Sequence, residues 1–346
     1  MGRYAVRRLL SGALLLFAMT ILTFTFFRLI PLPTGCLIVP CGPNTTTTDA
    51  QLRAAEHELG TDRPVPVQYV KFVWGILRHG SFGASWVHGP IDPLIRQAAP
   101  RTISVLIGGA ILLFLLAIPL GVISAVRAQQ RIDRLVLSFS VVGIALHPFI
   151  VGLFLTKFFS DYTHLTPHGG YCHFLSAPPP PPPNPALAPG ALGAPPCAGV
   201  LPWAYHMLLP WGTFALFFLP LYTRMIRGQI LETLDSQHVA AARAKGASEL
   251  RVLRSHVLRP ALLPLATMIG MDLGGALMAA IYIETIYGLG GFGSLMLSVV
   301  SGNGVQSGYD LPLVAALFFV IAATAIILNL VVDLLYGWLD PRVRLA

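Results

Sequence analysis

Long apolar stretches separated by short polar segments dominate this chain of 346 residues. A helix that crosses a membrane needs about 20 mostly apolar residues, and six stretches reach that length. They are residues 9–27, 103–126, 135–156, 201–223, 261–283 and 311–332. Several contain proline, which membrane helices tolerate better than soluble ones because neighbouring helices and waters satisfy the freed backbone groups. The pattern predicts an all-α integral membrane protein with six transmembrane helices.

Composition supports this class. Hydrophobic residues make up 55% of the chain and charged residues 11%, whereas soluble domains carry about 25% charged residues. Arg3, Arg7 and Arg8 precede the first stretch, as they would in a signal peptide. That stretch is too long for a signal peptide and has no small-residue cleavage site after it, so it predicts a retained anchor.

Basic residues mark the cytoplasmic side, because short loops rich in Lys and Arg stay in the cytoplasm. With six spans and both termini cytoplasmic, four basic groups fall on that side, and the external loop between the fifth and sixth stretches has no Lys or Arg. The net charge of +8 therefore reports topology in a plasma (inner) membrane and suits anionic lipid. These loops lack the interleaved aromatics of a nucleic-acid surface. The groups are Arg3, Arg7 and Arg8; Arg127, Arg131 and Arg134; the seven basic residues from Arg224 to Arg259, both included; and Arg342 and Arg344.

The same pattern divides the chain. Residues 1–31 hold the first transmembrane helix, 32–100 an extracytoplasmic segment with short helices at 50–59 and 67–77, 101–338 the main transmembrane domain and 339–346 a cytoplasmic tail. The transmembrane domain contains an external loop at 161–204 and a cytoplasmic loop at 227–260. Six consecutive prolines at 178–183 predict an extended polyproline II spacer.

Four cysteines lie in the two external segments. Because that side is oxidising, the spacing predicts Cys36–Cys41 and Cys172–Cys197 disulfides, with four free thiols as the alternative. Since no two cysteines are separated by two residues, we predict no metal site.

The cytoplasmic segment at 237–248 carries the most specific signal. Its alanine-rich part predicts a short helix that Gly246 ends. Small side chains let another protein approach closely, and Arg243 and Lys245 place charge at the rim. Two interpretations remain open from these residues: a helix that a cytoplasmic partner grips, or an amphipathic loop on the lipid surface.

This segment resembles the coupling loop of type I ABC importer permeases, in which two alanines precede a glycine and a Leu-Pro follows. Ala241, Ala242, Gly246 and Leu263-Pro264 match, while Ala240 replaces the glutamate that names the motif. Residues 242–246 read Ala-Arg-Ala-Lys-Gly, similar to the B-type oligopeptide and dipeptide permeases. Further similar stretches follow in family order at 59–64, 118–121, 284–293, 329–333 and 339–342. The family's Gly-Asp-Pro after the first helix is absent and the proline run is extra, which leaves partner and substrate preference open.

The resemblance implies a type I importer permease fold and a transport cycle driven by ATP. A solute-binding protein would deliver di- or oligopeptides to this chain and a second, C-type permease. Two cytoplasmic ATPases would bind ATP and Mg²⁺, and Ala240, Ala241, Ala242, Arg243, Lys245 and Gly246 would couple to one of them. No lysine follows a glycine in this chain, so no Walker A loop is present. We therefore predict a non-catalytic subunit without a cofactor of its own.

Polar residues inside apolar stretches are functional candidates. Asp272, Glu284, Asn329 and Asp333 are predicted to line the translocation path or to form bonds between helices. A nickel or glutathione importer with a similar permease is one alternative. An ion-coupled transporter that uses Asp272 and Glu284 is another, although no internal repeat supports it. A membrane enzyme is a third, but the chain has no His-Glu-x-x-His motif.

Overall fold

The computed structural model describes residues 2–29, 50, 53–54, 57, 62–85, 89–174, 197–300 and 310–339. Nearly all of this part is helical, which confirms the predicted all-α class. The Cys36–Cys41 pair, the prolines at 178–183 and the tail beyond residue 339 lie outside the described residues. Most of the predicted helix at 50–59 lies outside them as well.

Twelve helices and one small hairpin are named here in chain order. The hairpin pairs two strands of two residues each. Two π-helical turns, Thr156–Tyr162 and Val252–Val257, extend neighbouring helices. The elements are α1 (Gly2–Leu29), α2 (Val65–His79), β1 (Ala84–Ser85), β2 (Gly89–Pro90), α3 (Ile91–Val126), α4 (Arg131–Ile144), α5 (Pro148–Leu155), α6 (Val200–Leu234), α7 (Gln237–Ala244), α8 (Glu249–Arg251), α9 (Leu258–Ala261), α10 (Leu263–Tyr287), α11 (Phe292–Val300) and α12 (Leu311–Leu339).

Membrane-spanning helices form the body of the protein. Among the described residues, α3, α6, most of α10 and most of α12 are long and apolar enough to cross a bilayer. The pair formed by α4 and the segment Pro148–Tyr162 adds a fifth span if it is counted as one bent unit. In α1 the apolar part is the shorter Leu9–Leu22. Four of the six predicted stretches lie within a single helix, whereas 135–156 is divided between α4 and α5 and 261–283 begins before α10.

The third predicted stretch differs from an uninterrupted helix. The chain bends by 108° between α4 and the helical segment that starts at Pro148. Proline has no N–H to donate to the preceding turn. His147 begins the new helix instead, and its Nδ1 accepts a hydrogen bond from the Phe149 N–H at 3.3 Å.

The helices α3 and α6 continue past the predicted apolar stretches. The helix α3 begins at Ile91, so the last ten residues of the segment assigned to 32–100 belong to it. The Asp92 carboxylate fixes this end by accepting bonds from Ser81 Oγ at 2.6 Å and the Phe82 N–H at 2.9 Å. The helix α6 continues to Leu234, so its last eight residues belong to the segment predicted as the cytoplasmic loop 227–260. With 36 residues, α3 is about 54 Å long, compared with a hydrocarbon core of about 30 Å.

Glycines allow α3 and α6 to pack closely along their length. A Cβ atom at Gly109 would lie 2.6 Å from the Phe214 ring, and one at Gly121 would lie 2.7 Å from a methyl group of Ile226. Small residues let membrane helices approach in this way. The two helices therefore form one closely packed pair, and α10 also packs against both.

The buried apolar residues form two clusters. The main cluster fills the space between α3, α6 and α10, and includes residues from Val105 to Ala125 and from Ile283 to Leu289. A smaller outer cluster joins the start of α3 to α11 and to the start of α12 through residues such as Ile91, Phe292 and Leu313. By the charge rule, the outer cluster lies on the extracytoplasmic side.

Candidate functional site

The short helix α7 lies between the two long helices α6 and α10, on the predicted cytoplasmic side. It starts after Ser236, whose Oγ donates to the Thr233 carbonyl oxygen at 2.5 Å. This bond closes the turn that separates α7 from the end of α6. The helix predicted from the alanine-rich sequence is therefore present, and it is a separate element.

One face of α7 is anchored to the membrane domain. Val239 is fully buried and Ala242 is 9% exposed. Both belong to the main apolar cluster, together with Val252, Val257 and Ala261 from the segment that returns to α10. A displacement of α7 would therefore act directly on the packed core.

The other face of α7 is open. Ala240, Ala241, Arg243 and Lys245 are exposed, so small side chains alternate with charge on the free surface. The Arg243 guanidinium pairs with the Glu249 carboxylate through Nε at 3.0 Å and Nη2 at 3.2 Å. This pair braces the end of α7 against the start of α8.

Gly246 follows the last turn of α7. Its φ angle of +78° lies in the left-handed region that favours glycine. The N–H groups of Lys245 and Gly246 donate to the carbonyl oxygens of Ala241 and Arg243 at 3.1 and 2.9 Å, which closes the last turn. Gly246 is exposed, and a Cβ atom there would meet nothing within 4 Å. The local surface is thus smooth and accessible to a partner.

The polar candidates of α10 occupy different environments, twelve residues and about 18 Å apart. Asp272 is half-buried and interacts with the Tyr222 side chain of α6. Its Oδ2 is buried without a hydrogen-bond partner among the described residues. Glu284, by contrast, is fully buried at the outer end of the helix. The two carboxylates therefore do not form one site.

The polar candidates of α12 are only partly described. Asn329 lies against α10, because a Cβ atom at Gly270 would be 3.1 Å from Asn329 Oδ1. This placement fits the predicted contact between helices. The side chain of Asp333 lies outside the part that the structure describes.

Glu284 holds the glycine-rich turn between α10 and α11. Its Oε2 accepts a hydrogen bond from the Gly293 N–H at 2.7 Å. A Cβ atom at Gly291 would overlap its carboxylate, which explains why the turn is rich in glycine. Arg101 of α3, a residue that the sequence pattern did not single out, donates from Nη1 to the Gly290 carbonyl oxygen at 2.8 Å.

A buried ion pair that the sequence did not predict joins the cytoplasmic ends of α3, α4 and α6. Asp133 is 2% exposed, and its two oxygens accept bonds from Arg227 Nε at 2.6 Å and Nη2 at 2.7 Å. Ser124 Oγ and the Gln129 N–H add bonds of 2.6 and 2.8 Å. Both charged residues looked like ordinary members of basic loop segments, so the sequence carried no signal of their pairing.

The structure joins Cys172 and Cys197 in a disulfide, the pairing predicted for the second external segment. The His206 Nδ1 lies 3.4 Å from Cys172 Sγ and 3.0 Å from the Pro202 carbonyl oxygen. Among the described residues, Cys172, Cys197 and His206 form the one group whose potential ligand atoms lie close enough together to bind a metal ion. Because the two sulfurs are bonded to each other, the group offers no thiolate ligand.

The fold defines a helical membrane protein that carries a short, partly exposed helix, α7, on its predicted cytoplasmic side. Residues 117–345 match the family described as binding-protein-dependent transport system inner membrane component, and residues 1–91 match the N-terminal family of the same systems. The chain belongs to this family. It is a permease of the ABC importer type and a multi-pass inner membrane protein.

Similar proteins agree with this assignment. The probable peptide ABC transporter permease protein y4tP of Sinorhizobium fredii is 30% identical over 345 residues, covering 99% of this chain and 100% of the relative. The dipeptide transport system permease protein DppB of Escherichia coli K12 is 31% identical over 350 residues and covers 99% of each chain. A solved structure of the MetNI methionine ABC transporter in an inward-facing conformation matches 72% of this chain and 97% of its own, with a TM-score of 0.54 and 14% identity. That likeness concerns the fold.

Proposed function

We propose that this chain is the translocation subunit of an ATP-driven importer for di- or oligopeptides. The observation that carries the proposal is α7, which has an exposed alanine-rich face and a buried face in the membrane core. A helix gripped by a moving partner needs both properties. The amphipathic interpretation, in which the segment lies on lipid, fits less well because Val239 and Ala242 are already buried by the protein itself.

The proposed coupling runs from the ATPase to the membrane core. An ATPase partner binds ATP and Mg²⁺, closes, and moves the surface formed by Ala240, Ala241, Arg243, Lys245 and Gly246. Val239 and Ala242 pass this movement to the main cluster, which also holds parts of α3, α6 and α10. In this scheme the chain transmits force and carries no catalytic residue or cofactor.

The cargo assignment draws on the relatives, whose names refer to peptides or dipeptides. A solute-binding protein would deliver the peptide at the outer face, and a second permease would complete the path. Asp272 is our candidate for contact with the cargo, since a carboxylate at membrane depth with an unpaired oxygen is suited to bind a peptide amine. Asn329 and Asp333 are proposed to contribute bonds between helices.

Purification of the tagged chain from its native membrane in mild detergent tests the proposal. We expect mass spectrometry to find a second permease and one or two ATPases with a Walker A loop. After reconstitution, the solute-binding protein loaded with peptides of two to five residues should stimulate ATP hydrolysis and peptide uptake. Uptake of nickel or glutathione without peptide uptake would replace the cargo. A chain that purifies alone, with uptake driven by a proton gradient, would overturn the proposal.

A further inference from the structure

A polar layer separates the two apolar clusters at the outer end of the protein. On α3, Ala98 belongs to the outer cluster and Val105 to the main cluster, with Arg101 and Thr102 between them. On the other side, Leu289 belongs to the main cluster and Phe292 to the outer one. The glycine-rich turn lies between those two residues, whereas α3 continues through both clusters as one helix. This layer is therefore where α11 can tilt against α3.

Three side chains hold the turn Gly290–Gly293 at this level: Arg101, Thr102 and Glu284. We call these three side chains and the turn the outer latch. Arg101 donates to the Gly290 carbonyl oxygen, Thr102 Oγ1 accepts from the Phe292 N–H at 3.1 Å, and Glu284 accepts from the Gly293 N–H. The latch thus connects α3 to the α10–α11 turn through hydrogen bonds.

An external loop covers the latch. The Tyr171 ring lies 5.6 Å from the Arg101 guanidinium carbon, a distance typical of a cation–π contact. The Gly170 N–H donates to the Tyr287 carbonyl oxygen at 2.8 Å, which places the loop over the end of α10. The disulfide at Cys172 connects this loop to the segment that leads into α6. The loop therefore covers the latch on the extracytoplasmic side, and we call this covered end of the chain the outer mouth.

The latch is also incompletely bonded. Among the described residues, Arg101 Nε and Glu284 Oε1 are buried and make no hydrogen bond. The α3 side of the latch is thus held to the turn by two hydrogen bonds, one donated by Arg101 and one accepted by Thr102.

We infer that Arg101 is the positioning residue that keeps the outer mouth closed, and that its contact with Gly290 breaks when the importer opens outward. The inference rests on the proposed transport function. Opening would tilt α11 and the start of α12 away from α3 at the polar layer. The main cluster, in which α3 and α6 are closely packed, would stay intact.

A cysteine reporter in α11 tests the latch. Ser298 is 8% exposed and lies one turn beyond the latch, so we would introduce Ser298→Cys in a background with Cys36→Ser and Cys41→Ser. The full complex, reconstituted in vesicles without nucleotide, is treated from outside with a membrane-impermeant maleimide. We expect slow labelling, and labelling about tenfold faster with Arg101→Gln, the factor that corresponds to losing about 1.4 kcal/mol from a charge-assisted hydrogen bond.

Arg96→Gln is the matched control, because Arg96 is an exposed arginine on the same helix, and it should label at the rate of the parent. Arg101→Lys keeps the charge and one donor, so it should label at an intermediate rate. It also decides the test if Arg101→Gln fails to fold. Equal labelling of the Arg101 variants and the parent overturns the inference.

ATP hydrolysis gives the second readout. Without the solute-binding protein, the complex with Arg101→Gln should hydrolyse ATP several times faster than the parent, because the closed mouth no longer opposes closure of the ATPases. A merely structural role would lower the yield of complex and leave the rate per complex unchanged. If no ATPase accompanies the chain, the proposed function fails, whereas the labelling comparison needs no nucleotide and still decides the latch.

Discussion

Replacement of Asp133 by asparagine removes the negative charge from the buried ion pair at the cytoplasmic end and keeps the shape of the side chain. Arg227 would then be left with its charge 19% exposed and without a carboxylate. The asparagine amide oxygen could still accept a hydrogen bond from the Gln129 N–H, and its NH2 group could donate to Ser124 Oγ. The change therefore isolates the pairing of Asp133 with Arg227 from the packing of the three helices.

The structure indicates a large effect. Removing one partner of a buried ion pair costs about 3 kcal/mol or more, because the remaining charge stays desolvated. The four hydrogen bonds to the Asp133 carboxylate, with distances of 2.6 to 2.8 Å, place this pair in that class. We expect Asp133→Asn to lower the free energy of unfolding by about 3 kcal/mol, which is roughly a hundredfold in the equilibrium constant.

Unfolding by sodium dodecyl sulfate in mixed micelles, followed by circular dichroism, measures this free energy. Asp161→Asn is the matched control, because Asp161 pairs with Lys157 where the two side chains are 33% and 81% exposed. Exposed pairs contribute about 0–1 kcal/mol. If Asp133→Asn costs no more than the control, the buried pair does not hold the three helices together. In a double-mutant cycle with Arg227→Gln, a coupling energy near zero would refute the same reasoning.

Three further outcomes follow from local geometry. Gly246→Trp should keep the fold but uncouple ATP hydrolysis from transport, because a bulky residue at this position, where φ is +78°, disturbs the surface of α7 that the ATPase would contact. Undiminished peptide uptake by this variant would contradict the coupling role. Gly291→Ala should lower the free energy of unfolding by about 2 kcal/mol or more, because the added methyl group overlaps the buried Glu284 carboxylate. Gly288→Ala has open space around it and should cost only about 1 kcal/mol, which is the strain of its φ of +57°; the same unfolding assay measures both. In a background with Cys36→Ser and Cys41→Ser, reductant should destabilise the protein by about 3 kcal/mol, since the Cys172–Cys197 disulfide closes a loop of 25 residues. Reductant should have no effect when Cys172→Ser and Cys197→Ser are added, and equal sensitivity of the two proteins would show that this bond does not form.

The amino-acid sequence alone was enough to identify the class of this protein and to predict its orientation. Apolar length and the position of basic residues are properties of short segments, so they can be read without knowing which helices touch. The same holds for α7, since alanine-rich composition and a terminal glycine act within one or two turns. The resemblance to type I importer permeases rested on such local motifs, and the family match agrees with it.

Helix boundaries were predicted less well, because they depend on more than hydropathy. The helices α3 and α6 continue past the apolar stretch on polar residues, and Asp92 stabilises the extension through contacts with the preceding segment. The bend before Pro148 likewise depends on where α5 packs. Apolar length marks the part of a helix that lies in lipid, and it does not mark where the helix ends.

Only the tertiary structure decided which polar residues meet. Arg227 and Asp133 are 94 residues apart in the chain, and Arg101 and Gly290 are 189 apart. On their own, these arginines resemble members of basic segments, and Glu284 resembles a candidate for cargo binding. Their partners are brought together by the packing of α3 against α6 and α10, which depends on glycines that admit a neighbouring helix. A one-dimensional pattern records that a residue is charged, whereas the burial and pairing of that charge arise only when distant helices pack.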